Sequence, residues 1–515
     1  MQSDAADTAV RCVSSLRRSG GGQVSAVDYD VIVLGSGFGG SLLSAILAKS
    51  GLAVALIDSA RHPRFAIGES STPLADYTLA MIANEYDLPE LLPLTKYGSW
   101  KREHAEIGCG LKRGFSYFGH RPETEFGGES QLLVAASSSD ESSDTHWLRS
   151  DVDAFVFGVA KTHGVTTFGE ATYQLHRKSD GWLVDGICDD NAISLQARFA
   201  VDATGSAGVV LKSLGIADQT QLLNTNSAAI FAHFANVKPV AECLDDIGVD
   251  RQRHPFPCDA AAVHHVLDSG WMWQLRFDDD TVSVGMMFGG RGARPIDTSV
   301  DLQVVWQQQI DRFPMLRHQF SVATIVRPKK GLQFAKRVQR LTTTAAGEYW
   351  AALPGTAGFI DPLHSTGIAH TLLGVRRLVS ILLMAPMNRE RQLQQYSDQL
   401  INELRLVDEL VAGCYAALPS FQLWSAWCML YFAAVTSMEQ ADSNTANQSF
   451  LRADDVLFRE MLIEARAELR LAVADGSAVA CDRFEQRLRC LIQPWNVVGL
   501  MNAECGGMYS HTAAN

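Results

Sequence analysis

The sequence reads DYDVIVLGSGFGG at residues 28–40 and, after the length of one helix, VALID at residues 54–58. This order of apolar runs and glycines predicts a strand, a tight turn, a helix and a second strand. Gly35 allows the tight turn, Gly37 lets the backbone approach a pyrophosphate, and Gly40 allows close packing of helix and sheet. The stretch therefore predicts a dinucleotide-binding βαβ unit in an α/β fold.

Asp58 lies at the end of the second predicted strand, where a carboxylate can accept hydrogen bonds from the ribose hydroxyls of a dinucleotide. A solvated strand end is the alternative explanation for this residue. A second glycine cluster, GGRG at residues 289–292, runs into Pro295 rather than into a helix, and it predicts a loop. We therefore expect one bound dinucleotide.

The chain has 515 residues, of which 47% are hydrophobic, so it can bury a large core and form two or three subdomains. Its net charge of -13 argues against nucleic acid or an anionic membrane as a partner. The ten cysteines form no C-x-x-C motif and no cluster with histidine at metal-ligand spacing. We expect reduced thiols, no metal site and a cytoplasmic location.

Three regions are predicted along the chain. Residues 1–27, rich in serine, glycine and alanine, predict a disordered leader. Residues 28–373 predict the nucleotide-binding domain with an interleaved β-rich domain, and residues 374–515 show helical periodicity. The longest apolar run, at residues 424–436, is shorter than the roughly 20 residues of a membrane span, so we expect a buried helix and no transmembrane segment.

The β-rich domain is predicted from apolar runs of strand length between residues 28 and 373. Residues 67–120 show no sustained periodicity. The clearest runs lie at residues 199–205, 227–234, 272–277 and 282–288.

Two motifs bring a known family into view. The sequence DATG, from Asp202 to Gly205, resembles a second nucleotide-contact motif of FAD-dependent monooxygenases, although an ordinary strand end explains it equally well. The sequence GFIDPLHSTG at residues 358–367 resembles the F-x-x-P-x-x-S-x-G signature of flavin-dependent halogenases. Together these motifs imply a fold like that of flavin monooxygenases, with Asp202, Gly205 and Asp361 at the cofactor.

Two further segments resemble the same family. The sequence GESSTP at residues 68–73, preceded by RHPRF at residues 61–65, resembles the region beside the family's flavin strap, which places Arg64 and Glu69 at the cofactor. The sequence GWMWQLR at residues 270–276 resembles the W-x-W-x-I-P motif. By this resemblance Trp271 and Trp273 form a wall between flavin and substrate, while Leu275 and Arg276 depart from the pattern.

Lys112, in the sequence CGLKRGF at residues 109–115, resembles the catalytic lysine of the phenol and pyrrole branch of these halogenases. In that family, reduced FAD and oxygen convert halide into hypohalous acid, which the lysine delivers to the substrate. An ammonium group can hydrogen-bond hypohalous acid, and a deprotonated amine can form a haloamine. A solvated lysine beside Arg113 is the alternative explanation.

The turn Ser365-Thr366-Gly367 matches the place where the family binds halide, and amide donors at a helix start can hold an anion. A plain helix start is the alternative. His364 stands where tryptophan halogenases carry a glutamate, which argues against free tryptophan and favours a phenol or pyrrole. With an unperturbed pKa of about 6.5, His364 could act as a base toward a phenol, or it could simply be packed.

The resemblance implies an enzyme that uses FADH2, oxygen and chloride or bromide, with a separate flavin reductase as partner. Its substrate would be a small electron-rich aromatic, either free or tethered to a carrier protein. Two alternatives stay open from the residues. One is an FAD-dependent aromatic hydroxylase, which would not need Lys112. The other is a flavin-binding protein without turnover, in which the altered tryptophan motif reflects lost catalysis.

Overall fold

The first elements of the chain are those that the sequence predicts. In the computed structural model, which describes residues 28–289, 296, 299–440 and 448–512, strand Tyr29–Leu34 leads through the glycine turn into helix Phe38–Lys49 and strand Val54–Ile57. The two strands pair in parallel, as expected of apolar strands covered on both faces. The predicted leader and most of the predicted loop at residues 289–292 lie outside the described residues.

The described residues form strands and helices that we number in chain order. The strands are β1 Tyr29–Leu34, β2 Val54–Ile57, β3 Cys109–Lys112, β4 Gly114–Gly119, β5 Gln131–Ala135, β6 Asp144–Trp147, β7 Thr166–Phe168, β8 Thr172–Lys178, β9 Gly181–Cys188, β10 Asn191–Asp202, β11 Ala228–Ala235, β12 Ala262–Leu267, β13 Gly270–Arg276, β14 Val282–Phe288, β15 Thr324–Arg327, β16 Gln333–Ala335, β17 Arg340–Leu341, β18 Ala346–Gly347, β19 Trp350–Ala352, β20 Gly358–Phe359 and β21 Met508–Tyr509. The helices are α1 Phe38–Lys49, α2 Pro73–Glu85, α3 Tyr97–Glu103, α4 Arg149–Thr162, α5 Val209–Ser213, α6 Val240–Asp246, α7 Leu302–Asp311, α8 Pro314–Gln319, α9 Pro354–Ala357, α10 Thr366–Leu383, α11 Pro386–Ala417, α12 Phe421–Glu439, α13 Val456–Asp475 and α14 Ala478–Leu491.

The first sheet contains the predicted βαβ unit. Its strands run in the order β18-β19-β10-β1-β2-β7, and β9 and β8 extend it from β10. Strands β19, β10, β1, β2 and β7 are parallel to one another. The turns after β1 and β10 therefore meet at the same edge, because the ends Leu34 and Asp202 are neighbours in the register.

The second sheet confirms the predicted β-rich part of an α/β fold. Its order is β15-β11-β14-β13-β12-β4-β5-β21, with β16 beside β11. Three of the predicted strand runs are β11, β13 and β14, and β14 lies between the other two and pairs antiparallel with each. At one edge of this sheet β21 pairs with β5, and Thr512 donates its hydroxyl to the carbonyl of Ala135 at 2.8 Å.

Residues 67–120, which show no clear period, contain helices α2 and α3. Helix α2 starts at Pro73 and is capped by the Thr72 hydroxyl, which accepts from the amide of Ala75. A threonine followed by proline at the first helical position is a known start signal. The periodicity of this segment is weak because buried polar residues, among them Asp76 and Thr78, interrupt the apolar face of α2.

The later part of the chain is largely helical, from α10 to α14. The predicted buried helix at residues 424–436 lies inside α12, which is buried along most of its length. Among the described residues one helix, α10, is long and apolar enough to cross a membrane by length and composition alone, and 61% of it is buried inside the protein. A core helix shows the same composition.

Candidate active site

The three glycines of the first turn have different surroundings. Gly35 has a φ of +99°, and a Cβ there would lie 2.4 Å from the carbonyl oxygen of Ala203. A Cβ on Gly40 would lie 2.0 Å from the carbonyl oxygen of Gly35. A Cβ on Gly37 would meet no atom closer than 3.7 Å. The fold thus requires Gly35 and Gly40, whereas Gly37 leaves room for a ligand above the start of α1.

Asp58 lies beside this turn, as predicted. Its carboxylate accepts from the amide of Ser36 at 2.7 Å and from the Ser36 hydroxyl at 2.8 Å, and the Arg64 guanidinium is 3.1 Å away. Burial opposes the charge, but the hydrogen bonds from Ser36 and the charge of Arg64 hold the pKa of Asp58 below its ordinary value. Asp58 is therefore a carboxylate at neutral pH.

Two residues at the turn, Arg149 and Asp153 of α4, were not found from the sequence. Arg149 donates to the carbonyl oxygens of Ile67 and Gly68, both at 3.0 Å, and pairs with Asp153 at 2.8 Å. Asp153 in turn accepts from the amide of Phe38 at 3.2 Å. These contacts connect residues 61–73, which we call the strap-like segment, to the glycine turn. No local motif marks them, because they lie more than a hundred residues after the turn.

Asp202 and Gly205 follow β10 at the same edge of the sheet. Both carboxylate oxygens of Asp202 are used within the protein, since they accept from the Thr204 hydroxyl at 2.6 Å and from the amide of Val210 at 2.7 Å. Gly205 has a φ of +59° and no atom within 4 Å of a Cβ built on it. Asp202 therefore shapes the turn, and a side chain at Gly205 would meet open space.

These residues fit a flavin adenine dinucleotide. Gly37 and Gly205 leave backbone exposed to a ligand, Asp58 offers a buried carboxylate, and Arg64 adds a positive charge near the phosphate-binding turn. The structure brings together the predicted cofactor residues Gly35, Gly37, Gly40, Asp58, Arg64, Asp202 and Gly205.

Glu69 is directed away from the glycine turn. Its Oε1 atom lies 2.8 Å from Nε2 of His233 on β11, and both side chains are almost completely buried. The carbonyl oxygen of Glu69 accepts from the amide of Trp147 on β6. The strap-like segment is thus attached to the second sheet as well as to α4.

Lys112, at the end of β3, is completely buried opposite Asp144 of β6. Its Nζ atom donates to the carbonyl oxygen of Ser71 and lies 4.2 Å from the centroid of the Phe115 ring. Burial lowers the pKa of Lys112 to about 8, although the carboxyl groups of Asp144 and Asp76 act in the opposite direction. With this pKa, about a tenth of the molecules carry the neutral amine at pH 7.

A series of aromatic contacts links Lys112 to Trp271 and Trp273. The rings of Trp271 and Trp273 are 5.9 Å apart, and Trp271 lies 5.2 Å from the His264 ring, which contacts Phe115 at 6.0 Å. The two tryptophans are buried on one face of β13, as strand alternation predicts. Phe115 thus contacts the amine of Lys112 directly and Trp271 through the ring of His264.

Asp361 lies beside Trp271. It is buried and accepts from the Tyr415 hydroxyl at 2.9 Å and from the amide of Leu363 at 3.1 Å. Burial raises the pKa of Asp361 to about 7, against the hydrogen bonds from Tyr415 and Leu363. A side chain so held fixes the turn that follows it, so Asp361 is placed to shape the predicted halide site.

The predicted halide turn has the geometry of a helix start. Ser365 has a φ of +52° and is the N-cap residue of α10 without a side-chain cap. Thr366 and Gly367 are the first two residues of this helix, so their amide groups have no acceptor within it. An anion at this position would meet amide donors and the positive end of the helix dipole.

His364 is buried next to this turn. Its ring stacks on Tyr431 at 4.4 Å, and the Tyr431 ring lies 6.4 Å from Phe115. Burial lowers the pKa of His364 to about 3, so the imidazole is neutral and a weak proton acceptor at physiological pH. Its Nε2 atom lies 3.8 Å from the thiol of Cys414, a neighbour that sequence spacing did not indicate.

A small cavity of about 20 Å³ adjoins Phe115. A larger one, of about 770 Å³, opens between the start of α12 and residues 501–509, and none of the predicted site residues lines it. The smaller cavity has room for about one water molecule, so an aromatic ring would enter it only if the surrounding side chains moved apart. This cavity is lined by Thr72, Pro73, Phe115, Val134, Ala136, Tyr431, Phe432, Val435, Thr436, Glu439 and Thr512.

Comparison with known proteins gives concordant results. The tryptophan halogenase family model matches residues 143–460. The monodechloroaminopyrrolnitrin halogenase PrnC of Pseudomonas fluorescens is 27% identical over 498 residues, covering 90% of this chain and 84% of that protein. The tetracycline 7-halogenase of Kitasatospora aureofaciens is 27% identical over 420 residues, covering 79% of this chain and 73% of that protein.

Solved halogenase structures share the fold. Halogenase PltM in complex with phloroglucinol and FAD has a TM-score of 0.83 at 24% identity, covering 94% of this chain and 100% of that chain. The flavin-dependent brominase Bmp2 has a TM-score of 0.60 at 18% identity, covering 85% of this chain and 98% of that chain. Both similarities extend over most of the described elements.

Proposed function

Because the chain belongs to the tryptophan halogenase family, we propose that it chlorinates or brominates an electron-rich aromatic, a phenol or pyrrole, with hypohalous acid delivered by Lys112. The observation that carries this proposal is the position of Lys112. Its buried amine, with a pKa of about 8, lies against Phe115, which also lines the aromatic cavity. In this proposal the oxidant and the substrate meet beside this side chain.

The cofactor is FAD, held by the turns after β1 and β10. When bound as FADH2, it supplies with oxygen the oxidising equivalents that convert halide into hypohalous acid. Gly37 and Gly205 let the backbone approach it, Asp58 accepts from its ribose, and Arg64 and Arg149 offset the phosphate charge. Glu69, paired with His233, fixes the strap segment over this region.

The halide site is the start of α10. The amides of Thr366 and Gly367 donate to the anion, and Ser365 holds the turn in its left-handed conformation. Trp271 and Trp273 separate this site from the substrate cavity, so that the substrate is halogenated at Lys112 instead of being hydroxylated at the flavin. Asp361, bonded to Tyr415, fixes the turn against this wall.

Lys112 can deliver halogen in either of two protonation states. As an ammonium it donates a hydrogen bond to hypohalous acid and polarises the halogen, and as an amine it accepts the halogen and releases water. Its lowered pKa makes both forms available near neutral pH. His364 is neutral and packed against Tyr431, so we assign it a supporting role at the turn rather than that of a base.

The substrate class follows from His364, because no carboxylate stands there to stabilise a cationic indole intermediate. A phenol or pyrrole is activated by its own heteroatom. One relative is a 1H-pyrrole-2-carbonyl-[peptidyl-carrier protein] chlorinase, so a carrier-tethered substrate is part of the proposal. A separate reductase would supply FADH2, and we place the protein in the cytoplasm.

The proposal is tested with purified protein, FAD, a flavin reductase, NADH, oxygen and bromide or chloride over a panel of phenols and pyrroles. We expect a halide-dependent mass shift in the product, retained in Lys161→Ala and lost in Lys112→Ala. Lys161 is an exposed lysine on α4, away from the site. Gain of one oxygen without halide would instead identify a hydroxylase, and tight FAD binding without any product would identify a flavin-binding protein without turnover.

A further inference from the structure

Two cysteine thiols and one imidazole meet in the interior next to the halide turn. The Sγ atoms of Cys414 and Cys428 are 3.8 Å apart, and Nε2 of His364 is 3.8 Å from Sγ of Cys414. All three donor atoms lie within 4.8 Å of one another, and the three side chains are buried. The sequence predicted no such cluster, because the cysteines lie on α11 and α12, at least fifty residues after His364.

The packing of α11 against α12 brings the thiols together. A Cβ on Gly413 would lie only 1.9 Å from the ring of Trp427, whose Nε1 donates to the carbonyl oxygen of Leu410 at 2.7 Å. This close approach involves the residue immediately before each cysteine. A disulfide has an S–S distance of about 2.05 Å, so the two sulfurs need to close by less than about 2 Å.

The thiol pair also lies close to the source of an oxidant. His364 contacts Cys414 and immediately precedes Ser365, the first residue of the proposed halide turn. The imidazole stacks on Tyr431, which contacts Phe115 beside Lys112. The pair is thus next to the route from the halide turn to the lysine, and this inference rests on the proposed function because that function supplies hypohalous acid.

We propose that Cys414 and Cys428 form an oxidisable dithiol that consumes hypohalous acid when no aromatic substrate takes it. The sulfur of Cys414 attacks the halogen, forming a sulfenyl halide, and its proton with the departing hydroxide forms water. The sulfur of Cys428 then displaces the halide, forming the disulfide and releasing a proton. Two thiols are oxidised by two electrons, and the halogen is returned as halide.

The surroundings suit this chemistry better than they suit a metal ion. Cysteine and histidine are zinc ligands, and the S–S distance would allow one. A metal-bound histidine, however, almost always donates its second ring nitrogen to a partner, and Nδ1 of His364 has no hydrogen-bond partner among the described residues. Burial raises the pKa of the Cys428 thiol and so keeps the thiol protonated. Burial also shields this thiol from charged reagents in solution. A small neutral oxidant made inside the protein can still reach it.

The disulfide can be read from one peptide. Between Arg405 and Arg452 the chain has no lysine or arginine, so trypsin releases residues 406–452 with Cys414 and Cys428 as the only cysteines. The holoenzyme is turned over with FAD, reductase, NADH, oxygen and bromide without aromatic substrate, then quenched with N-ethylmaleimide and digested. We expect this peptide to lose two hydrogens and to carry no maleimide. An excess of a phenol that the enzyme halogenates should suppress that change.

A second arm separates this inference from the proposed function. Equimolar hypochlorite is added to the holoenzyme without reductase, and we expect the same disulfide. An enzyme that halogenates phenols but forms no disulfide in either arm overturns the inference and leaves the function intact. A protein that halogenates nothing overturns both, even if added hypochlorite oxidises the pair.

Variants and metal analysis complete the test. Cys428→Ala should prevent the disulfide, whereas Cys243→Ala, which changes a buried cysteine on α6, should not. After turnover without substrate, the wild type should lose halogenase activity and recover it with dithiothreitol. About one zinc ion per purified chain, lost in Cys428→Ala, would overturn the inference in favour of a metal site. The wild-type peptide result does not depend on how well the variants fold.

Discussion

Lys112 and Asp144 stand opposite each other in the antiparallel pair of β3 and β6, and both side chains are buried. Asp144 is the strongest of the acidic groups that raise the pKa of Lys112 against the effect of burial. Asp76, whose carboxylate accepts from the Ser71 hydroxyl, acts in the same direction. The protonation state of the lysine therefore depends on residues that its own motif does not contain.

Asp144→Asn should move the pH profile of halogenation to lower pH. The negative charge of Asp144 raises the pKa of Lys112, whereas burial lowers it. Without that charge the pKa of Lys112 falls below about 8, and the amine form appears at lower pH. The profile is measured as initial rate against pH at saturating bromide. Asp140→Asn, at an exposed residue paired with Arg113, is the matched control. An unchanged profile would mean that Asp144 carries no charge in the enzyme.

Lys112→Met should stabilise the protein at neutral pH. The folded-state pKa of Lys112 is about 8, below its ordinary value of 10.5, so the unfolded chain binds the proton more tightly. Stability is therefore lowered below pH 8 and is regained as pH rises from about 8 to 10.5, an effect of about 3 kcal/mol. Thermal unfolding midpoints of both proteins, measured from pH 7 to 10.5, should converge at high pH. Parallel curves would contradict this prediction, and Lys161→Met serves as control.

Gly37→Ala should weaken FAD binding, whereas Gly40→Ala should destabilise the protein. A Cβ on Gly37 meets side-chain atoms only at ordinary contact distances of 3.7 Å or more, so the fold is kept and FAD binding is weakened by at least about tenfold, since the methyl occupies the space for the pyrophosphate. A Cβ on Gly40 meets the carbonyl oxygen of Gly35 at 2.0 Å, so the protein is destabilised. Thermal unfolding and FAD titration measure the two effects. Normal FAD affinity in Gly37→Ala would place the cofactor elsewhere.

Trp271→Phe should lower the ratio of halogenated to hydroxylated product. The smaller ring opens the wall between the flavin side and Phe115, so oxidant or substrate crosses it more easily. Product masses and hydrogen peroxide release are measured together. Trp306→Phe removes a buried tryptophan from the separate core around α7 and should leave the ratio unchanged. Equal ratios in both variants would show that Trp271 is only a core residue.

The sequence predicted the parts of this molecule that depend on neighbours in the chain. The glycine turn, strands β11, β13 and β14 and the buried helix α12 carry local patterns of period and turn chemistry. Helix α2 also had a local signal in Thr72 and Pro73, which the missing apolar period obscured. The residues that were missed, Arg149, Asp144 and Cys414, meet their partners only through packing between distant segments.

The cavity beside Phe115 includes Thr512, which bonds to Ala135, a residue 377 positions earlier in the chain. At synthesis rates of about 5–20 residues per second, the ribosome needs roughly 20 to 75 seconds to pass from one to the other. Both turns that we assign to the cofactor are present once Gly205 has been made, whereas the wall of the cavity is completed only by Thr512. A nascent chain can thus acquire its cofactor well before it can enclose an aromatic substrate.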